Sequence, residues 1–79
     1  MNLYQFTKMI CDNYKSNKWL SGYYDVEISG VTYSIGIKAY GKWVQRLECN
    51  GKITSVEECK TLKAFSAAIE SEILLCCLS

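Results

Sequence analysis

Seventy-nine residues suffice for one small domain, and an apolar fraction of 49% supplies enough material for one core. Nine basic and eight acidic residues leave a net charge of +1, which argues against a protein whose whole surface binds nucleic acid. Histidine is absent, so Ser-His and Cys-His catalytic pairs cannot be built.

The first predicted element is an amphipathic helix over residues 2–17. Asn2 can cap its start, and Gln5, three residues later, completes a capping box. Apolar residues recur at three- and four-residue spacing, which predicts a buried stripe of Leu3, Phe6, Ile10 and Tyr14. The helix is expected to stop near Ser16-Asn17.

From Trp19 the apolar period changes to two, which predicts antiparallel strands. Strands are predicted at 23–28, 31–40 and 42–49, with turns at Ser29-Gly30 and near Tyr40-Gly41. Asn50-Gly51 is a strong turn dipeptide and leaves open a short fourth strand at 52–54. By alternation the inward residues are Tyr24, Val26, Ile28, Val31, Tyr33, Ile35, Ile37 and Ala39.

A long helix is predicted to close the chain. Ser55 and Glu58 match a second capping box, so we expect this helix to begin directly after Ser55. Its apolar stripe comprises Leu62, Phe65, Ile69, Ile73 and Cys76. We predict a single α+β domain over residues 1–79, of order α-β-β-β-α, in which two helices cover one face of an antiparallel meander sheet.

The chain ends in Cys76-Cys77-Leu78-Ser79, which fits the C-a-a-X pattern of prenylation. Cys76 also continues the apolar stripe of the last helix, and the upstream acids Glu70 and Glu72 would be repelled by an anionic membrane surface. We therefore interpret the tail as a helix end. No apolar run reaches the ~18–20 residues of a membrane span, so we expect a soluble protein that does not associate with membranes.

The five cysteines are odd in number and contain no C-x-x-C pair, so neither a metal nor another cofactor is predicted. We interpret them as small apolar residues in a reducing cytoplasm. Asp25 and Glu27 share one strand face and resemble a carboxylate pair, but alternating acids are ordinary on a solvated face. No catalytic residue is predicted, and we do not expect an enzyme.

The predicted exposed sheet face is the surface best suited to a partner. It combines tyrosines with small and charged side chains, and Tyr and Arg anchor protein interfaces because they bury much area with few rotamers to freeze. The candidate partner-binding residues are Tyr23, Asp25, Glu27, Ser34, Lys38, Tyr40 and Arg46. An ordinary solvated face, docking by an edge strand, and a homodimer formed through the same face are alternatives.

The α-β-β-β-α order resembles the double-stranded-RNA-binding domain over nearly the whole chain. In that family the first helix, the first hairpin turn and lysines at the last helix contact RNA. The resemblance implies an RNA-binding role for the first helix, for Ser29-Gly30 and for Lys60 and Lys63. The Gly-Pro-x-His motif of the family is absent, because the chain has neither proline nor histidine.

In size and character the chain also resembles the small accessory proteins of bacteriophages, anti-CRISPR inhibitors among them. It is short, near neutral and rich in tyrosine. The resemblance implies a non-catalytic inhibitor that binds a host defence complex, such as a CRISPR effector, in the host cytoplasm. A larger host protein or ribonucleoprotein complex is the first choice of partner, and nucleic acid is the second.

Overall fold

A computed structural model describes residues 1–16, 18–41, 43–57 and 59–78, and it confirms the α+β fold with the fourth strand present. The elements in chain order are α1 (Leu3–Ser16), β1 (Trp19–Ile28), β2 (Val31–Tyr40), β3 (Trp43–Cys49), β4 (Lys52–Val56) and α2 (Leu62–Leu78). The sheet has the order β1-β2-β3-β4, and each neighbouring pair is antiparallel. Every connection is therefore between sequence neighbours, as the predicted meander requires.

The predicted capping box of α1 is confirmed. The Gln5 amide donates to Asn2 Oδ1 at 2.8 Å, and the Asn2 amide donates to Gln5 Oε1 at 2.9 Å. These reciprocal bonds satisfy two donors at the helix start. Phe6 and Ile10 are fully buried, whereas Leu3 and Tyr14 lie half-buried at the margins of the stripe.

Two of the hairpins close through turns in which both central residues have positive φ. Ser29 and Gly30 have φ of 53° and 80°, and Asn50 and Gly51 have φ of 54° and 78°. This left-handed geometry matches the twist of the strands it joins, and glycine and asparagine adopt it most readily. Both predicted turns are confirmed.

The alternation predicted for β1 and β2 is also confirmed except at Val31, which was predicted to be inward but is 52% exposed beside the first hairpin turn, whereas β3 contains an irregularity. Lys38 of β2 pairs with Arg46, but its neighbour Ala39 pairs with Val44, so the register shifts by one residue at Gln45. The same shift occurs against β4. A bulge of this kind breaks the period of two, so parity alone does not define the inward residues of β3.

The predicted start of α2 was wrong. The helix begins at Leu62, and Thr61 caps it: the Ala64 amide donates to Thr61 Oγ1 at 3.1 Å. Ser55 lies instead in β4, beside the buried Val56, which pairs with Val44. Burial of a β-branched side chain in the sheet outweighs the local capping signal there. Glu58 lies outside the described residues.

Both helices pack on the same face of the sheet, as predicted. The Tyr14 and Phe65 rings lie 4.5 Å apart between the helices, and the Tyr14 hydroxyl donates to the carbonyl of Cys59 at 3.0 Å. The buried apolar residues form one core: Phe6, Ile10, Val26, Ile28, Ile35, Ile37, Ala39, Leu47, Cys49, Val56, Phe65, Ile69, Ile73, Cys76 and Cys77.

Two cysteines have a role that the sequence interpretation missed. Cys49 at the end of β3 and Cys77 in the last turn of α2 form a disulfide, with their Cα atoms 5.4 Å apart. The interpretation of all five cysteines as small apolar residues is therefore wrong at these two positions, because residues 28 apart in sequence meet only in the folded chain. Cys76 is buried in the final helical turn, as predicted, and its thiol donates to the carbonyl of Lys52 at 3.2 Å.

Candidate protein-binding face

The helices leave one face of the sheet uncovered, and we call it the outer face. Residues that alternate with the buried ones along each strand point to this side. The outer face comprises Trp19, Ser21, Tyr23, Asp25, Glu27, Thr32, Ser34, Gly36, Lys38, Tyr40, Arg46, Glu48, Ile53 and Ser55.

All seven predicted partner-binding residues lie on the outer face and are exposed: Tyr23, Asp25, Glu27, Ser34, Lys38, Tyr40 and Arg46. They divide into two groups along the strands. Tyr23, Lys38 and Arg46 line one shallow depression of about 240 Å³, and Tyr40 lies farther along β2 on the same side. The other three lie toward the first hairpin turn, where Asp25 pairs with Ser34.

At the centre of the depression the ring of Tyr23 lies on Gly36. A Cβ atom built on Gly36 would be 2.7 Å from Tyr23 Cε1, so only glycine leaves room for the ring here. The Tyr23 hydroxyl donates to Glu48 Oε2 at 3.0 Å, and Arg46 Nη2 lies 3.7 Å from the same oxygen. Tyr23 is 69% exposed, and its ring nevertheless contacts Gly36 while its hydroxyl is hydrogen-bonded to Glu48.

The environment of Tyr23 changes its acidity. The hydrogen bond to Glu48 and the negative charge of that carboxylate raise the pKa of the Tyr23 hydroxyl above its ordinary value of 10.0, and Arg46 opposes this effect. Both main causes favour the neutral phenol, because ionisation would place two anions in contact. Tyr23 is therefore a hydrogen-bond donor at neutral pH.

A second aromatic pair extends this surface toward the start of β1. The rings of Trp19 and Tyr40 lie 4.7 Å apart at 38°, and Trp19 is 62% exposed. Lys38 lies between Tyr40 and Gly36 along β2, and it pairs with Ser21 on β1 and Arg46 on β3. The surface thus presents three aromatic rings with two cations beside them.

Sequence reasoning missed Trp19, Glu48 and Ile53 on the outer face. The signals were available for two of them, because Trp19 has the parity of Tyr23 in β1 and Glu48 has the parity of Arg46 in β3. Ile53, which is 59% exposed, required the register between β3 and β4, where it pairs with Glu48.

A different surface lies between the helices, where a groove of about 560 Å³ separates α1 from α2. Lys8, Lys15 and Lys63 line it together with the acids Asp12 and Glu70. Half-buried Cys11 also lines the groove, and burial raises the pKa of its thiol despite a hydrogen bond with Ser66. A raised thiol pKa lowers the thiolate fraction and makes Cys11 a poor nucleophile at neutral pH.

Comparison of the chain with protein-family models, curated proteins and solved structures finds no match. Within the described residues, no three Cys, Asp or Glu side chains converge as metal ligands. In the same part of the chain, neither α1 nor α2 is long and apolar enough to cross a membrane. The two candidate binding surfaces are the outer face and the groove between α1 and α2, which we call the helix groove.

Proposed function

We propose that this chain is a non-catalytic protein-binding module that uses its outer face to occupy a site on a larger complex. The observation that carries the proposal is the state of Tyr23, whose ring is 69% exposed and yet fixed by Gly36 beneath it and Glu48 at its hydroxyl. An aromatic side chain that is already ordered loses little rotamer entropy when a partner covers it.

The neighbouring residues support the same use of the surface. Trp19 and Tyr40 are stacked on each other, so their rings are also partly ordered before a partner arrives. Exposed Trp, Tyr and Arg dominate the binding energy of protein interfaces. Lys38 and Arg46 beside these rings suit a partner surface with acidic side chains at its rim.

The partner that we propose is a host defence complex, a CRISPR effector being the leading case, blocked by stoichiometric binding. This part of the proposal follows the resemblance to phage-encoded inhibitors. The absence of histidine and the poor nucleophilicity of Cys11 agree with inhibition by occupancy.

The first test is a titration of the purified protein against a panel of purified CRISPR effector complexes, with target-DNA binding and cleavage as readouts. The expected result is inhibition of one effector that saturates at a fixed molar ratio. A tagged pull-down from bacterial lysate treated with nuclease covers other defence complexes. No inhibition at molar excess, together with no protein complex retained after nuclease treatment, contradicts the proposal.

Matched variants then test the face. Tyr40→Ala is expected to weaken binding roughly thirtyfold, since truncating an interface anchor costs about 2 kcal/mol or more. Tyr4→Ala is the control, because Tyr4 is 73% exposed on α1 and lies away from the outer face. Lys38→Ala and Lys60→Ala form a second matched pair. If both variants of each pair lose the same partner affinity, and circular dichroism shows that all four remain folded, the outer face is excluded as the binding surface.

A second candidate function is binding of double-stranded RNA through the helices. The observation that favours it is the start of α2, which carries no acid in its first turn and places Lys63 there, with exposed Lys60 just before it. Lys63 also shares the helix groove with Lys8 and Lys15. Binding to an RNA duplex would weaken steeply with salt and with Lys60→Ala and Lys63→Ala, whereas Tyr40→Ala would leave it unchanged.

A further inference from the structure

The outer edge of β1 is covered by the chain's own N-terminus along part of its length. The Glu27 amide donates to the carbonyl of Met1 at 2.8 Å, and the Met1 ammonium donates to the carbonyl of Asp25 at 3.2 Å. Asn2 forms a parallel bridge with Glu27. The carbonyl of Asp25 and the amide of Glu27 therefore have partners within the chain at this edge.

The rest of this edge is open. Backbone groups alternate between the two sides of a strand, so Trp19, Ser21 and Tyr23 direct their amides and carbonyls to the same edge as Asp25 and Glu27. Within the described part of the chain, these groups have no partner on that side. The stretch from Trp19 to Tyr23 also lacks the charges and prolines that protect edge strands.

We propose that a second copy of this chain pairs with the open edge, antiparallel, about a two-fold axis at Ser21. In this register Ser21 faces Ser21 of the second copy, Trp19 faces Tyr23, and Leu20 faces Gly22. The pairing ends where the N-terminus begins to cover the edge, because the carbonyl of Asp25, the next residue with outward-directed backbone groups, is bound to Met1. The open stretch therefore extends two residues to each side of Ser21, as a two-fold axis at that residue requires.

The side chains complement one another in the same register. On the outer face, each Trp19 lies opposite Tyr23 of the other copy, and aromatic cross-strand pairs stabilise antiparallel strands. On the inner face, Gly22 leaves open space, since none of the described residues has an atom within 4 Å of the position that its Cβ would take. The half-buried Leu20 of the other copy covers this gap. Both contacts occur twice because of the symmetry.

Such a dimer joins two four-stranded sheets and presents two copies of the outer face side by side. It is independent of the proposed function, because dimerisation is measured by mass and the outer face by partner affinity. A pairing of five residues buries less area than a standard interface, so the dimer is expected to dissociate on dilution.

The test is sedimentation velocity over a concentration series, with Ser21→Glu and Ser55→Glu as matched variants. The wild type is expected to approach twice the 9.0 kDa of one chain as concentration rises. Ser21→Glu gains a cation partner within its own chain, since position 21 pairs with Lys38, but places two carboxylates opposite each other across the axis. The dissociation constant of the Ser21→Glu dimer is expected to be about tenfold higher than that of the wild type.

Ser55→Glu adds the same charge to the same face of the other edge strand, β4, and is expected to dimerise like the wild type. Amide spectra of the wild type supply a readout without substitution: Ser21 and Tyr23 should shift on dilution, and Val56 on the opposite edge strand β4 should not. A wild type that stays monomeric at about 1 mM overturns the proposal. Equal effects of the two variants overturn it as well.

Discussion

Gly36 illustrates how a single small residue organises the outer face. Glycine in the middle of a strand usually weakens the sheet, because it has no side chain to pack. Here the ring of the cross-strand residue Tyr23 covers it, which restores packing and orders the ring at the same time. Glu48 on β3 accepts a hydrogen bond from the Tyr23 hydroxyl. Residues on three neighbouring strands, β1, β2 and β3, therefore position one exposed aromatic ring.

This arrangement predicts opposite effects of two substitutions on the acidity of Tyr23. Glu48→Ala removes the acceptor and its charge, so the pKa of Tyr23 is expected to fall toward 10.0. Arg46→Ala removes a cation that favours the phenolate, so the pKa is expected to rise further. Titration of tyrosine ring signals by NMR measures both. Shifts in the same direction would contradict the hydrogen-bonded arrangement.

The raised pKa of Tyr23 also makes the stability of the fold depend on pH at high pH. The pKa of Tyr23 is higher in the folded protein than in the unfolded chain, so its hydrogen bond stabilises the fold fully below about pH 10. This contribution is lost as pH rises through the folded pKa. The stability difference between wild type and Glu48→Ala should therefore be constant from pH 7 to about 9 and decrease at higher pH.

At the scale of elements, the start of α2 shows a competition between two local signals. Ser55 begins a capping-box pattern, yet the chain continues as β4 through Val56 and begins the helix at Leu62, after Thr61. The strand gains pairing with β3 and burial of Val56, whereas a cap contributes only about 1 kcal/mol. The longer strand therefore prevails.

The competition leads to a direct comparison of two substitutions. Thr61→Ala removes the bond from the Ala64 amide and is expected to lower the free energy of unfolding by about 1 kcal/mol. Ser55→Ala is expected to change it by less than about 0.5 kcal/mol, because Ser55 is exposed on β4. Urea unfolding measures both. A larger loss for Ser55→Ala would place the cap at Ser55 after all.

At the scale of the whole molecule, the C-terminal part of α2 is attached to the β3–β4 hairpin by several contacts. Thr54 Oγ1 donates to Glu72 Oε2 at 2.7 Å, the thiol of Cys76 donates to the carbonyl of Lys52, and Cys49 is bonded to Cys77. These contacts hold the C-terminal part of α2 against β3 and β4, where Cys49, Cys76 and Cys77 belong to the buried core.

Reduction of the disulfide is expected to destabilise the whole molecule. The bond closes a loop across a sequence separation of 28, for which loss of chain entropy in the unfolded state predicts about 3.6 kcal/mol. Urea unfolding with and without a thiol-free reductant measures this difference. Cys77→Ser should abolish the response to reductant, whereas Cys59→Ser, at a free cysteine, should retain it. A reductant response that survives Cys77→Ser contradicts the bond.

Much of the fold was predictable because its signals are local. The capping box of Asn2 and Gln5, the period of two in β1 and β2, and the turn dipeptides at Ser29 and Asn50 all act within a few residues. The seven predicted partner-binding residues reached the outer face for the same reason, since parity along a strand is set by backbone geometry. Their role in binding stays a prediction.

Backbone periodicity is a local property, so the order of the elements, the two helical stripes and the side of the sheet that residues of β1 and β2 face follow from the amino-acid pattern alone. Long-range contacts set the remaining features: the start of α2, the bulge at Gln45, the disulfide between Cys49 and Cys77, and the contact of Tyr23 with Gly36 and Glu48. Each of these depends on residues far apart in the chain, whose meeting is governed by register and packing.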